Sequence, residues 1–547
     1  MTRNRRGRFF SVGGALYFAA FFLAPLSYFY FRAAAEAGPG GFAAALEEVL
    51  SSPATWRTLV FSLAQAAASA LFCVALALPG ALISARRDFP GKKILRSAGM
   101  IPFVLPSIIV VIAMIGFYGK NGLLNRLFGT ELNLIYNPAG IVLAHGFYNV
   151  TLALRIMGEG FAGIDLRYHE IAASLGDGPV RRFLRILLPL GAPAAATAFI
   201  IIFLYSFSSF GIVLVFGGVA FSTLEVKTYT EMHVKLNLST SSVYALLQLV
   251  LAVFFMLLAG KLIRRFQFSR PRAPKTTIPP GPAVPPGKKA AALLYFLILG
   301  IFIFGPLASL TIRSLRPMGV WSARAFAALF RPEPLGRDIE GIIRSGIPGV
   351  ILRSLLLSFG SGSAAFLLAL ALSFALRGRK SPLLVGLLYL PTGMSMVSLG
   401  IGLRLLYGET LPLPLLIGAA QVFVAFPVVF RILRTTVEEF HPAYLETAES
   451  LGAGKGRALR DVAFPILRRG LLNGLAYSVA IPFTDFTLVM TIGRGEYVTF
   501  PVAIYRLIGF RSFDLGMALG VLYILVCLGI FFWIDSTGGS DDTFGGN

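Results

Sequence analysis

The sequence predicts an all-α polytopic membrane protein, with about 12 transmembrane helices in two tandem six-helix repeats. Three observations predict it. The chain of 547 residues is 56% hydrophobic and only 14% charged, with a mean hydropathy of +0.76. A soluble domain carries about 25% charged residues, so this chain lacks the polar groups to cover a water-facing surface. Apolar runs of roughly 20 residues recur along its whole length, each long enough to cross a bilayer as a helix. In lipid every backbone polar group needs an internal partner, which makes helices the default. Finally, one short polar stretch occurs twice. EIAASLGDGPVRRFLRILLPL runs from Glu170 to Leu190, and ETAESLGAGKGRALRDVAFPI from Glu446 to Ile466, 276 residues further on (446 − 170).

The elements follow in order. Arg3, Arg5, Arg6 and Arg8 precede an apolar stretch from Phe9 to Phe31. That stretch exceeds the apolar core of a signal peptide, about 7–15 residues, so it reads as a first helix that stays in place. The remaining spans of the first repeat are expected at 57–84, 94–117, 138–158, 193–216 and 242–263. The segment from Arg264 to Lys289 is basic, Pro-rich and without apolar period, so it reads as an extended linker. The second repeat is expected at 290–312, 350–376, 383–407, 414–433, 471–492 and 513–534, and a polar, Gly-rich tail from Asp535 as a solvated end. Pro102, Pro106 and Pro391 fall near the start of corresponding helices.

The formal net charge of +23 would point to nucleic acid in a soluble protein. Here the basic residues mark cytosolic loops: Arg86, Arg87, Lys92, Lys93 and Arg96 after the second span, and Arg264, Arg265, Arg270, Arg272 and Lys275 after the sixth. This bias places the N-terminus inside. The Arg-rich segment from Arg313 to Arg344 departs from the rule, as longer translocated segments do. Cys73 and Cys527 lie in apolar runs with no metal-ligand or redox spacing, and the four His form no cluster. No catalytic residue, metal or cofactor is expected.

Each repeated stretch reads as helix, turn, helix. RYHEIAASLG ends at Gly176, a residue suited to the position just past a helix. Pro179 suits a helix start. Val180, Phe183, Leu184, Leu187 and Leu188 are expected on one face opposite Arg181, Arg182 and Arg185, with Pro189 closing the helix. From Glu to Gly is six residues in both copies (176 − 170; 452 − 446). From Gly to Pro is thirteen in both (189 − 176; 465 − 452). Arg155 meets Arg431 and Tyr168 meets Tyr444 at the same offset.

These two stretches resemble the EAA loop of bacterial ABC importer permeases: Glu-Ala-Ala, three residues, Gly, nine residues, Ile, one residue, Leu-Pro. Glu170, Ala172, Gly176 and Pro189 match in the first copy, and Glu446, Ala448, Gly452 and Pro465 in the second. Ile171, Thr447, Glu449 and Phe464 depart from the pattern. The resemblance implies that these residues are the coupling loops on which two copies of a cytosolic ATPase dock. It further implies a fused double permease of the bacterial inner membrane, with permease domains at 1–263 and 290–547 joined by the linker 264–289. A solute-binding protein would deliver the solute from outside. No G-x-x-x-x-G-K-[ST] phosphate loop occurs, so ATP hydrolysis is expected in a separate subunit.

Among fused permeases, FYGKNGLL at Phe117, IVLAHGFYNVTLALRI at Ile141 and VTFPVAIYRLIGFRSFDLGMAL at Val498 are most similar to the thiamine group. The resemblance therefore implies thiamine or a thiamine phosphate as solute, with ferric iron the alternative. A proton- or sodium-driven secondary transporter of twelve helices is the rival class, and the twin loops argue against it. Ionisable groups at membrane depth commonly face an interior path. Asp485 is the leading candidate, near Pro482; its counterpart in the first repeat is Ser209 (485 − 276). Asp485 has two readings: a carboxylate lining the path of a cation, or a structural lock. His145 and Asn149, spaced i, i+4 on one helix face, are the further path candidates. Gln65 and Gln248 are expected to hydrogen-bond between helices.

Overall fold

The computed structural model describes residues 13–37, 41–86, 105–131, 134–218, 220–268, 286–316, 320–330, 346–378, 388, 391, 394–510 and 512–538. Pro102, most of the basic loop after the second span, 269–285 of the linker, 331–345 of the Arg-rich segment and the end of the tail lie outside them. Among the described residues ten helices are long and apolar enough to cross a membrane, and a bent pair supplies an eleventh. The remaining expected span, 383–407, is seen as the shorter helix Met396–Tyr407; residues 383–387, which begin it, are not described. The final helix continues to Gly538, so the polar tail starts later than its composition implies.

The chain folds into two compact units whose membership does not follow chain order. One comprises Leu46–Lys235 and Val243–Trp321; the other comprises Met1–Ala45, Leu236–Ser242 and Ser322–Asn547. Each repeat's first span thus packs in the unit built on the other repeat.

In the unit built on the first repeat, Pro53–Ala85 packs on Pro138–Ala162 and on Pro179–Phe207. The contact is close because small residues line it: a Cβ on Gly146 would sit 2.5 Å from the Phe72 ring. The span Lys289–Leu315 joins this unit. Tyr295 donates its hydroxyl to the Leu76 carbonyl at 2.7 Å, and Ser309 donates to Ala113 at 3.3 Å. Cys73 is buried here.

In the unit built on the second repeat, Gly346–Ala375 packs on Leu413–Glu439 and on Phe464–Thr484. A Cβ on Gly362 would meet the Ser478 carbonyl at 2.5 Å. The span Gly13–Glu36 is held by aromatic rings: Tyr17, Phe18 and Phe22 surround Phe423 with centroids 5.1–5.4 Å away. Tyr17 donates to Ala419 at 2.8 Å and Tyr407 to Ala20 at 2.9 Å. Buried aromatics contribute through both area and ring geometry, about 0.5–1.5 kcal/mol per pair beyond burial. Cys527 is buried here.

Two expected spans need correction. The fifth spans do not begin at 193 and 471. Each starts at the second helix of the repeated stretch and runs through it, Pro179–Phe207 and Lys455–Thr484. Each then breaks. Phe207 is followed by a separate helix Gly211–Phe216, and Thr484 by Thr487–Gly493, the second pair bent by 52°. Both breaks lead to a short helix, Leu224–His233 in one repeat and Phe500–Gly509 in the other, offset again by 276 (500 − 224).

Candidate coupling loops and intramembrane polar sites

The first helix of each repeated stretch, Leu166–Ser174 and Ala443–Ser450, ends in the same hydrogen-bonded turn. Gly176 N–H donates to Ala173 O at 3.1 Å and Asp177 N–H to Ala172 O at 3.0 Å. Gly452 N–H donates to Glu449 O and Ala453 N–H to Ala448 O, both at 3.0 Å. This pair of bonds satisfies the last carbonyls of a helix and requires a left-handed residue. Gly176 has φ +86 and Gly452 φ +87. Glycine is needed for the backbone and not for space, since a Cβ at either would meet nothing within 4 Å.

Among the described side chains, Ala172 and Ala448 are the buried positions of these helices. Glu170 and Glu446 lie within them. Beside them, large apolar side chains stand in the open: Tyr168, Ile171 and Leu175 in the first copy, Tyr444 and Leu451 in the second. Leu175 is 80% exposed and Leu451 83%. An isolated exposed leucine is ordinary, but a contiguous apolar patch marks an interaction surface.

Pro189 and Pro465 do not close a helix. In both copies the helix widens into one π-turn, Phe183–Leu187 and Leu459–Ala463, just before the proline. Leu188 N–H then reaches Phe183 O, and Phe464 N–H reaches Leu459 O. The wider turn absorbs the clash and missing donor that a proline imposes on its preceding turn. The docking segment and the membrane span are consequently one continuous helix. The expected apolar stripe is also divided. Leu187 is buried, while Val180, Leu184 and Leu188 are exposed. Asp177 lies 3.9 Å from both Arg181 and Arg185.

The intramembrane residues gather at the helix breaks. In the second repeat, Gln421 donates from Nε2 to the Pro482 carbonyl and to Asp485 Oδ2, both at 3.2 Å. Its Oε1 accepts from Ser361 at 3.1 Å. Asp485 Oδ1 accepts from Leu488 N–H at 3.3 Å, at the start of the next helix. The Pro482 carbonyl also accepts from Asp485 N–H at 3.2 Å, so Gln421 adds a second donor at the helix end. Ser209, the counterpart of Asp485, is partly exposed at the first repeat's break.

In the first repeat the corresponding carbonyl is that of Ser206 (482 − 276), to which Gln65 Nε2 donates at 2.9 Å. His145 occupies the position of Gln421 (421 − 276) and contacts Ser69, the counterpart of Ser361 at the offset of 292 that relates Ser62 to Ser354, at 3.0 Å through Nδ1. Asn149 donates to the His145 carbonyl at 3.0 Å; both side chains are buried. Gln248 donates to Glu225 at 2.8 Å. Sequence reading missed Gln421 and Glu225. The alignment at offset 276 pairs Gln421 with His145 and could have found the first; Glu225 stands in a polar stretch between spans and had no such signal.

Twin loops, each continuous with a broken membrane helix, recur once in each repeat of this polytopic protein. The model of the family described as binding-protein-dependent transport system inner membrane component matches residues 77–268 and 294–536, once per repeat, and the chain belongs to that family. Its relatives include the thiamine transport system permease protein of Brucella suis biovar 1, 28% identical over 522 residues, 90% of each chain. The proteins of the same name from Haemophilus influenzae and Escherichia coli K12 are each 25% identical, over 88% of this chain and 89% of theirs.

Proposed function

We propose that the chain is the membrane permease of an ATP-driven importer for thiamine or a thiamine phosphate, with both permease domains, 1–263 and 290–547, carried on one polypeptide. The observation that carries the reading is the twin loop: two glycine-terminated helices of the same geometry, each presenting an exposed leucine and each fused through a π-turn to a membrane span. Each loop docks one copy of a cytosolic ATPase. Closure of the two ATPases draws the loops together, and the continuous helices carry that movement to the breaks. A binding protein delivers the solute on the opposite side. The N-terminus and the linker 264–289 lie in the cytoplasm, in keeping with the charge bias. The family supports dependence on a binding protein and ATP over the secondary-transporter alternative. The names of full-length relatives support thiamine over ferric iron. The path residues proposed are Asp485, Ser209, His145 and Asn149.

The test is uptake of radiolabelled thiamine by proteoliposomes holding the chain, its ATPase and its binding protein. ATP-dependent accumulation, unaffected by excess ferric iron, is expected. Uptake of iron in place of thiamine would remove the solute assignment. Uptake driven by a proton gradient without ATPase would restore the secondary transporter.

A further inference from the structure

Within the unit built on the first repeat, five buried side-chain atoms of its membrane helices and of the turn at their break find no hydrogen-bond partner among the described residues. They are Gln65 Oε1, His145 Nε2, Ser206 Oγ, Thr223 Oγ1 and Gln248 Oε1. Each parent residue is at most 3% exposed. Native proteins leave few such atoms, and each calls for a reason. Hydrogen bonds connect most of them into one seam at the helix break. Gln65 reaches Ser206 O. Ser62, one turn before Gln65, accepts from Leu224 N–H at 3.0 Å, next to Thr223. The adjoining Glu225 accepts from Gln248.

The seam is rich in acceptors. Gln65 uses its amide hydrogens on the Ser62 and Ser206 carbonyls, at 3.2 and 2.9 Å, and Gln248 uses its own on the Glu225 carboxylate. Flipping either amide would set oxygen against oxygen, so both Oε1 atoms are committed as acceptors. Glu231, further along the same helix, is already paired with Lys227 at 3.3 Å and Lys235 at 2.9 Å.

The second repeat lacks this chemistry. Leu357 stands where Gln65 does (357 − 292, the offset set by Ser62 and Ser354), Pro501 where Glu225 does, and Ile524 where Gln248 does (both − 276). At the corresponding break only Thr499 Oγ1 is unpartnered among the described residues.

We propose that the helix break of the first repeat forms a one-sided binding site for an organic cation bearing N–H donors, with Gln65, Thr223, Glu225 and Gln248 as its wall. The site deepens the reading of the chain as a thiamine permease and rests on it for the identity of the guest. The break in the second repeat, bridged by Gln421, is the counterpart without a carboxylate or glutamine at these positions.

The test uses the full transporter in proteoliposomes under ATP turnover, with Cys73 and Cys527 replaced by Ala. Single cysteines at Gln65→Cys, Thr223→Cys and Gln248→Cys are labelled with a cationic or an anionic methanethiosulfonate of similar size. Labelling about tenfold faster by the cationic reagent is expected at all three, since a carboxylate in a cleft concentrates cations to that degree. Glu225→Gln should remove the bias, and Thr499→Cys should show none. Thr223→Cys is nearly isosteric and guards against loss of fold. Equal rates, or no labelling at any of the three, would overturn the site and leave only buried water as its occupant. With the bias present, slowing by added thiamine supports thiamine as guest. Bias without slowing keeps the cation site and removes thiamine.

Discussion

The hydroxyl of Ser354 accepts a hydrogen bond from the backbone N–H of Phe500 at 2.8 Å, 146 residues later in the chain. Ser62 does the same for Leu224 at 3.0 Å. The helices that begin at Leu224 and Phe500 follow Thr223 and Thr499, whose own hydroxyls do not cap them. A distant span therefore supplies the cap. Replacing Ser62 or Ser354 with Ala should strand a buried N–H at a cost of about 1–3 kcal/mol. Each variant should lower the melting temperature of the detergent-solubilised protein by a similar amount; unchanged melting in both would show that the bonds contribute nothing.

Gly176 and Gly452 are required for left-handed backbone and not for room. Gly176→Asn and Gly452→Asn should therefore keep most transport, because Asn tolerates this region. Gly176→Val and Gly452→Val should uncouple uptake from ATP hydrolysis while the chain still inserts and resists extraction. The ratio of solute moved to ATP consumed is the measurement, and equal ratios for Asn and Val would remove the backbone argument.

Leu175 and Leu451 stand almost wholly in the open, so Leu175→Asp and Leu451→Asp should leave folding intact. If they anchor the ATPase, each should weaken its retention about tenfold, equal to ~1.4 kcal/mol. Pull-down of the ATPase on the tagged permease reads this directly. Undiminished retention in the double variant would move the dock elsewhere.

Gln421 serves Ser361, Pro482 and Asp485 at once. Gln421→Leu should remove the side-chain donor from the buried Asp485 carboxylate and destabilise by about 1–3 kcal/mol. Asp485→Asn can still accept from Leu488 N–H. If Asp485 acts as a lock, that variant transports normally and melts slightly lower; if it lines a cation's path, uptake falls at unchanged stability. Parallel melting and uptake curves separate the two.

Much of this was legible in the sequence, for a physical reason: lipid enforces helices of set length, and the repeat copied the turn residues along with the helices. Glycine at a helix end and its partner 276 residues on foretold two left-handed turns. Proline misled at 189 and 465. Its usual effect is to stop a helix, but one widened turn removed the clash, and no composition rule announces a π-turn. His145 and Asn149 were singled out as a pair on one face, and they do bond each other, yet both are buried. The seam through Gln65, Glu225 and Gln248 was invisible because its members come from segments far apart in the chain. Only Gln65 and Gln248 were marked as polar, and the carboxylate partner of Gln248 lies outside any apolar run.

The exchange of first spans has a bearing on how the protein is made. Residues 13–36 leave the ribosome before the other described membrane helices, yet Met396–Tyr407 and Leu413–Glu439, which hold them, come far later in the chain. The other unit stays open until Lys289–Leu315 has been added. Neither unit can close in the order of translation, so the nascent chain holds an orphan helix in the bilayer through most of its synthesis, and folding concludes only when the polypeptide has returned to its own beginning.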